Sequence, residues 1–400
     1  MLRGARGVKM FHRLQIQRQP VTPPPLSLYI HIPWCVRKCP YCDFNSHAAT
    51  ERLDEEAYVD ALLADLAAEA PFALGRPLHS IFIGGGTPSL FSPAAIERLL
   101  RGVRGELPWA EDIEITLEAN PGTVEAARFA GYRSAGVNRL SLGVQSFDAG
   151  MLRALGRIHG PGEAVSAVEN AQAAGFERIN LDFMFGLPGQ TPDQALSDLQ
   201  RAIELATEHL SYYQLTLEPN TPFHRQPPQL PDDERIWEIQ QAGHAQLAEA
   251  GFAQYEVSAF ARAGGECRHN FNYWRFGDYL GIGAGAHGKV SDAGGTIRRR
   301  WKQRHPEAYL RGPVLKGERT LSPGDCVIEF MMNALRLSDG VEAACFEQAT
   351  GLSPALIDAP LRTARARGLM RDDPLRLCAT DLGARFLNDL LELFDGDEPF

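Results

Sequence analysis

Four hundred residues with 44% hydrophobic content can bury one large core and a smaller second one. A formal net charge of −10 argues against general nucleic-acid binding, and no apolar run approaches the ~18 residues of a membrane-spanning helix. Seven cysteines, an odd number, do not make a secreted disulfide framework and suit the reducing cytoplasm.

Residues 1–24 are Arg-rich and free of acidic side chains, and read as a basic, disordered leader or an upstream start rather than a targeting peptide. From residue 25 strand-like and helix-like segments alternate. Leu26–Ile32 is an apolar strand that runs into Cys35, Cys39 and Cys42 at C-x3-C-x2-C spacing. Three thiolates on one short loop can hold three irons of a [4Fe–4S] cube and leave the fourth open. Structural zinc, the alternative, takes four ligands, and no suitable fourth Cys or His follows closely.

Asp54 caps a helix over residues 54–70, with Val59, Leu62, Leu63 and Leu66 on one face. Short strands are expected at Ile81–Ile83, Ile113–Leu117, Leu140–Val144, Ile179–Met184 and Tyr212–Leu217. Helices are expected near residues 93, 162–174, 192–208 and 232–250. Strands separated by helices pair in parallel through right-handed crossovers, so the fold class is α/β. About six such units fit before residue 260.

Polar groups cluster just after strand ends, where a barrel carries its site. Gly84, Gly85, Gly86 and Thr87 form a turn whose backbone can approach a ligand. Glu118 and Gln145 close later strands, Arg157 lies twelve residues beyond Gln145, and Asp182 follows in the strand Ile179–Met184; each alone reads as a packed polar residue. Arg157 offers a planar donor fork for a carboxylate.

The cysteine loop after Y-I-H-I-P resembles that of the radical S-adenosylmethionine (SAM) enzymes, and within them the oxygen-independent coproporphyrinogen III oxidase family. G-L-P-G-Q-T at Gly186–Thr191 is similarly specific to this group. The resemblance implies a partial (β/α)6 barrel of TIM type over residues 25–290, and a linker over 291–315. A small, mostly helical, winged-helix-like domain would cover 316–400. It also implies that Cys35, Cys39 and Cys42 hold a [4Fe–4S] cluster whose open iron is chelated by SAM. Tyr29, Tyr41, Gly85, Gly86, Thr87, Glu118, Gln145, Arg157 and Asp182 would contact that SAM.

Two features choose the branch. The oxidases of this family carry a fourth cysteine two residues after the third, where this chain has Phe44, and they have a longer N-terminal segment. His269-Asn270-Phe271-Asn272-Tyr273-Trp274 resembles a string found in the HemW-type haem chaperones. That branch binds haem and passes it to apoproteins, with membrane respiratory proteins as candidate clients. A His can ligate haem iron and aromatic rings can face a porphyrin, which makes His269 a candidate ligand. The opposite reading is that His269 packs the end of the barrel. Oxidative decarboxylation of coproporphyrinogen III is the alternative function, and a radical SAM methyltransferase ranks last. The basic run Arg298–Lys302 reads as a solvated linker surface, and Cys326, Cys345 and Cys378 as core residues.

Overall fold

The computed structural model describes residues 22–49, 53–122 and 126–395; the basic leader expected over 1–24 lies outside them up to residue 21. Among the described residues a twelve-stranded sheet carries the architecture. Its strands are β1 (Leu26–Ile32), β2 (Leu78–Gly85), β3 (Trp109–Ala119), β4 (Arg139–Gln145), β5 (Arg178–Phe185) and β6 (His209–Gln214). After these come β7 (Ala253–Glu256), β8 (Ala259–Ala261), β9 (Asp278–Ile282), β10 (His287–Ser291), β11 (Ile297–Lys302) and β12 (Leu315–Thr320).

Strands β1 to β6 pair in parallel and in chain order. This is the partial (β/α)6 barrel. Strand β9 adds to β1 in parallel on the other side, and β10 to β12 continue it antiparallel. The crossovers are helices α1 (Glu55–Glu69), α2 (Pro93–Glu106), α3 (Ala126–Ser134), α4 (Pro161–Ala173) and α5 (Pro192–Glu204), with α6 (Asp233–Glu249) following β6. Their starts are chemically marked. Asp54 Oδ1 accepts from Ala57 N at 3.0 Å, and Ser92 Oγ accepts from Ala95 N at 3.2 Å. Alternate residues of each parallel strand point outward to these helices, so Leu26, Leu28, Ile30 and Ile32 are fully buried in the main core.

The expected linker at 291–315 is instead part of the sheet. It contains β11 and a helix, Pro306–Arg311, whose Tyr309 packs into the main core. The basic run is correspondingly not a solvated surface. Lys302 Nζ donates to Asp65 Oδ1 at 2.5 Å and to Glu69 Oε1 at 2.6 Å. Arg300 donates to both oxygens of Glu69 and is paired with Glu318, and Arg299 bonds Glu329 at 2.6 Å. The reason is that α1 presents two acids one turn apart, Asp65 and Glu69, to the strand that carries the cations.

A second core gathers helices α7 (Arg268–Trp274), α8 (Pro323–Ala334), α9 (Ala344–Thr350) and α10 (Ala355–Ala366), with a two-stranded ribbon of Val341–Glu342 and Arg376–Leu377. Two short helices, Asp381–Arg385 and Leu387–Glu392, complete this unit. This unit is fixed to the barrel by Arg336–Glu256 at 3.0 Å and by the edge-on pair Phe276–Phe330. Among the described residues no helix is long and apolar enough to cross a membrane.

Candidate functional site

The C-terminal ends of β2 to β6 and the loop after β1 enclose a cavity of about 340 Å³. Of the residues expected at the site, Cys35, Cys39, Tyr41, Cys42, Gly85, Gly86, Thr87, Glu118, Gln145, Arg157 and Asp182 all line it. They come from four strands and from two loops more than a hundred residues apart, which only the parallel register brings together.

The glycine loop is clamped onto the cysteine loop. Gly86 N bonds Ile32 O at 2.8 Å and Thr87 N bonds Trp34 O at 2.7 Å. A Cβ on Gly86 would stand 2.5 Å from Trp34 O, and one on Gly85 would stand 2.6 Å from His31 Cε1. Gly85 also has φ +120°, a region that L side chains rarely adopt. No other residue fits either position.

The polar lining forms one connected set. Asn120 donates to Thr87 Oγ1 at 2.8 Å and accepts from Arg157 Nη2 at 2.7 Å. Arg157 Nη2 also donates to Gly143 O at 2.6 Å, and Nη1 stands 3.9 Å from Cys39 Sγ. Its Nε is buried with no hydrogen-bond partner among the described residues, a donor left open in the wall. Glu118 Oε2 accepts from Gly85 N at 3.0 Å; burial first, then the charge of Asp182, pushes its carboxyl up to about 8. Burial raises Asp182 as well, although Ser141 and Asn180 donate to it at 3.0 and 2.8 Å. Gln145 has φ +72°, strained backbone for a non-glycine residue, and its Oε1 accepts from Tyr213 at 2.8 Å.

Two expected residues are placed elsewhere. The Tyr29 hydroxyl is turned to His31 Nδ1 at 2.9 Å, one step down the inner face of β1, and His31 Nε2 meets Asn45 O at 2.9 Å. Tyr29 therefore reaches the cysteine loop only through His31. His269 is 1% exposed inside the barrel, with Nδ1 on Ser80 Oγ and Nε2 on the Tyr273 hydroxyl, both at 2.9 Å. Both nitrogens are thus engaged, and burial, with Arg139 adding to it, holds the imidazole down at about 3. In this arrangement His269 is a packed core histidine, not an iron ligand. Sequence reasoning passed over Asn120, Ser141, Met184 and Tyr213, all of which line the cavity. Strand ends were the available signal, since Met184 and Tyr213 lie at the ends of β5 and β6.

The donor set fits an iron–sulfur cube. Cys35, Cys39 and Cys42 are free and half-buried at the cavity mouth. Burial raises the Cys35 and Cys42 thiols, against hydrogen bonds from Thr87 and Ser46 to Cys35 and from Ser46 to Cys42. Iron would displace those protons, and the same hydroxyls would then face thiolates. Among the described residues no three His, Cys, Asp or Glu form a group able to hold a single metal ion. A cube asks less, one thiolate at each of three irons.

Comparison with known proteins agrees in both parts of the chain. The radical SAM superfamily matches residues 29–202 and the HemN C-terminal domain matches residues 321–386. The heme chaperone HemW of Escherichia coli K12 is 53% identical over 371 residues, covering 93% of this chain and 98% of its own. That of Haemophilus influenzae is 52% identical over 379 residues, with 94% and 99% covered. Among solved structures, the Escherichia coli coproporphyrinogen III oxidase HemN, described as a radical SAM enzyme, is similar with a TM-score of 0.79. It covers 93% of this chain and 90% of its own at 26% identity.

Proposed function

The chain belongs to the HemW family of heme chaperones within the radical SAM superfamily, and from that premise we propose that it carries haem to client apoproteins. In this reading it binds a [4Fe–4S] cluster on Cys35, Cys39 and Cys42, and SAM in the adjoining cavity. The observation that carries the chaperone role is sequence identity: 53% to a heme chaperone over nearly its whole length, against 26% to the structurally similar oxidase. Phe44 supports it. Where the resembled oxidases have a fourth cysteine, this chain has an apolar side chain 61% exposed at the cavity mouth. Free cysteines and a cluster suit the cytoplasm.

When bound, the cluster supplies single electrons to SAM. The chain's own residues bind and orient. The Gly85–Gly86 backbone admits the ligand closely, and Arg157 offers its open Nε to a carboxylate. Glu118 and Asp182 take an ammonium or ribose hydroxyls, and Tyr41 gives a ring for the adenine. Before SAM binds, Glu118 keeps its proton at neutral pH, because its carboxyl titrates near 8. An ammonium seated beside it favours the ionised form and lowers that value. SAM binding at pH 7 is therefore expected to release up to one proton, and affinity should rise with pH up to about 8. Calorimetry in buffers of different ionisation enthalpy measures the release; it should vanish in Glu118→Gln. No release from the unsubstituted protein would rule out this role for Glu118.

The similarity to HemN keeps the decarboxylase as a second reading. Cluster-loaded protein incubated anaerobically with coproporphyrinogen III, SAM and a reductant is expected to give no vinyl-bearing product. Several turnovers per protein would establish the decarboxylase instead.

A further inference from the structure

The cysteine loop closes on the polar pair Asn45-Ser46. Asn45 sits in a socket. Its Nδ2 donates to Ala284 O and Arg304 O, both at 2.9 Å, which lie 239 and 259 residues further along the chain. Its backbone oxygen meets His31 Nε2 at 2.9 Å. The socket wall is the turn between β9 and β10, in the run G-I-G-A-G-A-H-G over residues 281–288. Gly285 has φ +84°, and a Cβ on it would collide with Asn45 Nδ2, so only glycine admits the asparagine.

This clamp aims Ser46. Its N bonds Phe44 O at 2.7 Å, and Lys38 Nζ donates to Phe44 O at 3.0 Å and to Ser46 O at 3.2 Å. The next amide, His47 N, bonds Pro33 O at 2.7 Å. With the backbone engaged on both sides, Ser46 is 5% exposed and its Oγ stands 3.9 Å from Cys42 Sγ. The same hydroxyl lies within hydrogen-bond reach of Cys35, as does that of Thr87. Arg157 Nη1 faces Cys39 at 3.9 Å. Each of the three sulfurs therefore has a donor beside it, and Ser46 serves two of them.

We propose that Ser46 is a positioning residue for the cluster: its hydroxyl, aimed by the Asn45 socket, donates to the Cys42 and Cys35 thiolates and raises the reduction potential. Hydrogen bonds to the ligand sulfurs are one of the protein's levers on that potential. A donor stabilises the reduced state more, because the added electron places more charge on the sulfurs. The proposal rests on the cluster reading and adds which side chain tunes it.

The test is a potentiometric titration of the anaerobically reconstituted full chain, followed by electron paramagnetic resonance, with iron content and circular dichroism measured for each variant. Ser46→Ala is expected to hold full iron and to be harder to reduce by about tenfold, the weight of one hydrogen bond to a charged group. That is about 59 mV more negative for one electron. Ser46→Thr keeps the hydroxyl and should stay near the unsubstituted value. Asn45→Ala should shift the potential in the same direction as Ser46→Ala, and the double variant no further, since both act through one hydroxyl. An unchanged potential in Ser46→Ala, or additive shifts in the double variant, would overturn the assignment. Should Ser46→Ala fail to hold iron, Ser46→Thr decides: full iron at the unsubstituted potential supports the donor, and a displaced potential overturns it. Failure of the unsubstituted protein to bind four irons would overturn the cluster reading itself.

Discussion

Anaerobically reconstituted Cys39→Ala protein is expected to lose the cluster's visible absorbance and most of its iron while the barrel stays folded. Cys39 is the middle of the three thiols, and Arg157 Nη1 lies 3.9 Å from its sulfur. A cube on two cysteines lacks the ligand set that three thiolates supply. The fold has little at stake in that side chain. The loop is held by its backbone, through His47 N to Pro33 O at 2.7 Å, Ala49 N to Cys35 O at 2.9 Å and Cys42 N to Cys39 O at 3.2 Å. These survive truncation of a half-exposed sulfur, so stability should move by no more than about 0.5 kcal/mol, as for ordinary surface substitutions. Iron analysis and far-ultraviolet circular dichroism check both halves. Full iron content in the variant would remove Cys39 from the ligand set.

Lys302→Met should destabilise the protein by about 3–5 kcal/mol, the cost of removing one partner from a buried ion pair. Lys302 is 2% exposed and its ammonium sits between Asp65 and Glu69, at 2.5 and 2.6 Å. Burial already pushes the Asp65 carboxyl up, against the countering charge of Lys302. With the ammonium gone, Arg300 still serves Glu69, but Asp65 keeps only Tyr309 at 2.8 Å and Gly283 N at 3.2 Å. A methionine fills much of the volume, so the effect isolates charge rather than cavity. Denaturant unfolding measures it, and a shift under 1 kcal/mol would mean that the network does not anchor α1 to the sheet extension. Replacing Asp65 by Asn in the same background should restore part of the loss, because the uncompensated charge is then absent.

The contrast between these two positions shows what the sequence made legible. Spacing and strand-end logic depend on local order; they marked the cysteine loop and the glycine turn, and the family resemblance added Glu118, Gln145, Arg157 and Asp182, all of which line one cavity. Apolar periodicity gave α1 its core face, yet Asp65 and Glu69 lie on the buried side too. Nothing local marks an acid as buried when its cation stands more than 230 residues away, so β11 read as a solvated run. His269 illustrates the converse. Its string was conspicuous in the chain, but a ligand needs a free nitrogen, and Ser80 and Tyr273 occupy both. Tyr29 has the right spacing from Cys35 and the wrong depth, since strand alternation puts it one step below His31 on the inner face.

The central claim is haem delivery, and transfer tests it most directly. Protein loaded with one equivalent of haem is mixed with an apo b-type haemoprotein, and the acceptor's spectrum is followed against free haem at the same concentration. The account predicts that the acceptor fills to stoichiometry and that transfer requires the loaded protein to meet it. Haem retained by this chain at equilibrium, or acceptor filling at the rate set by spontaneous release alone, would contradict it.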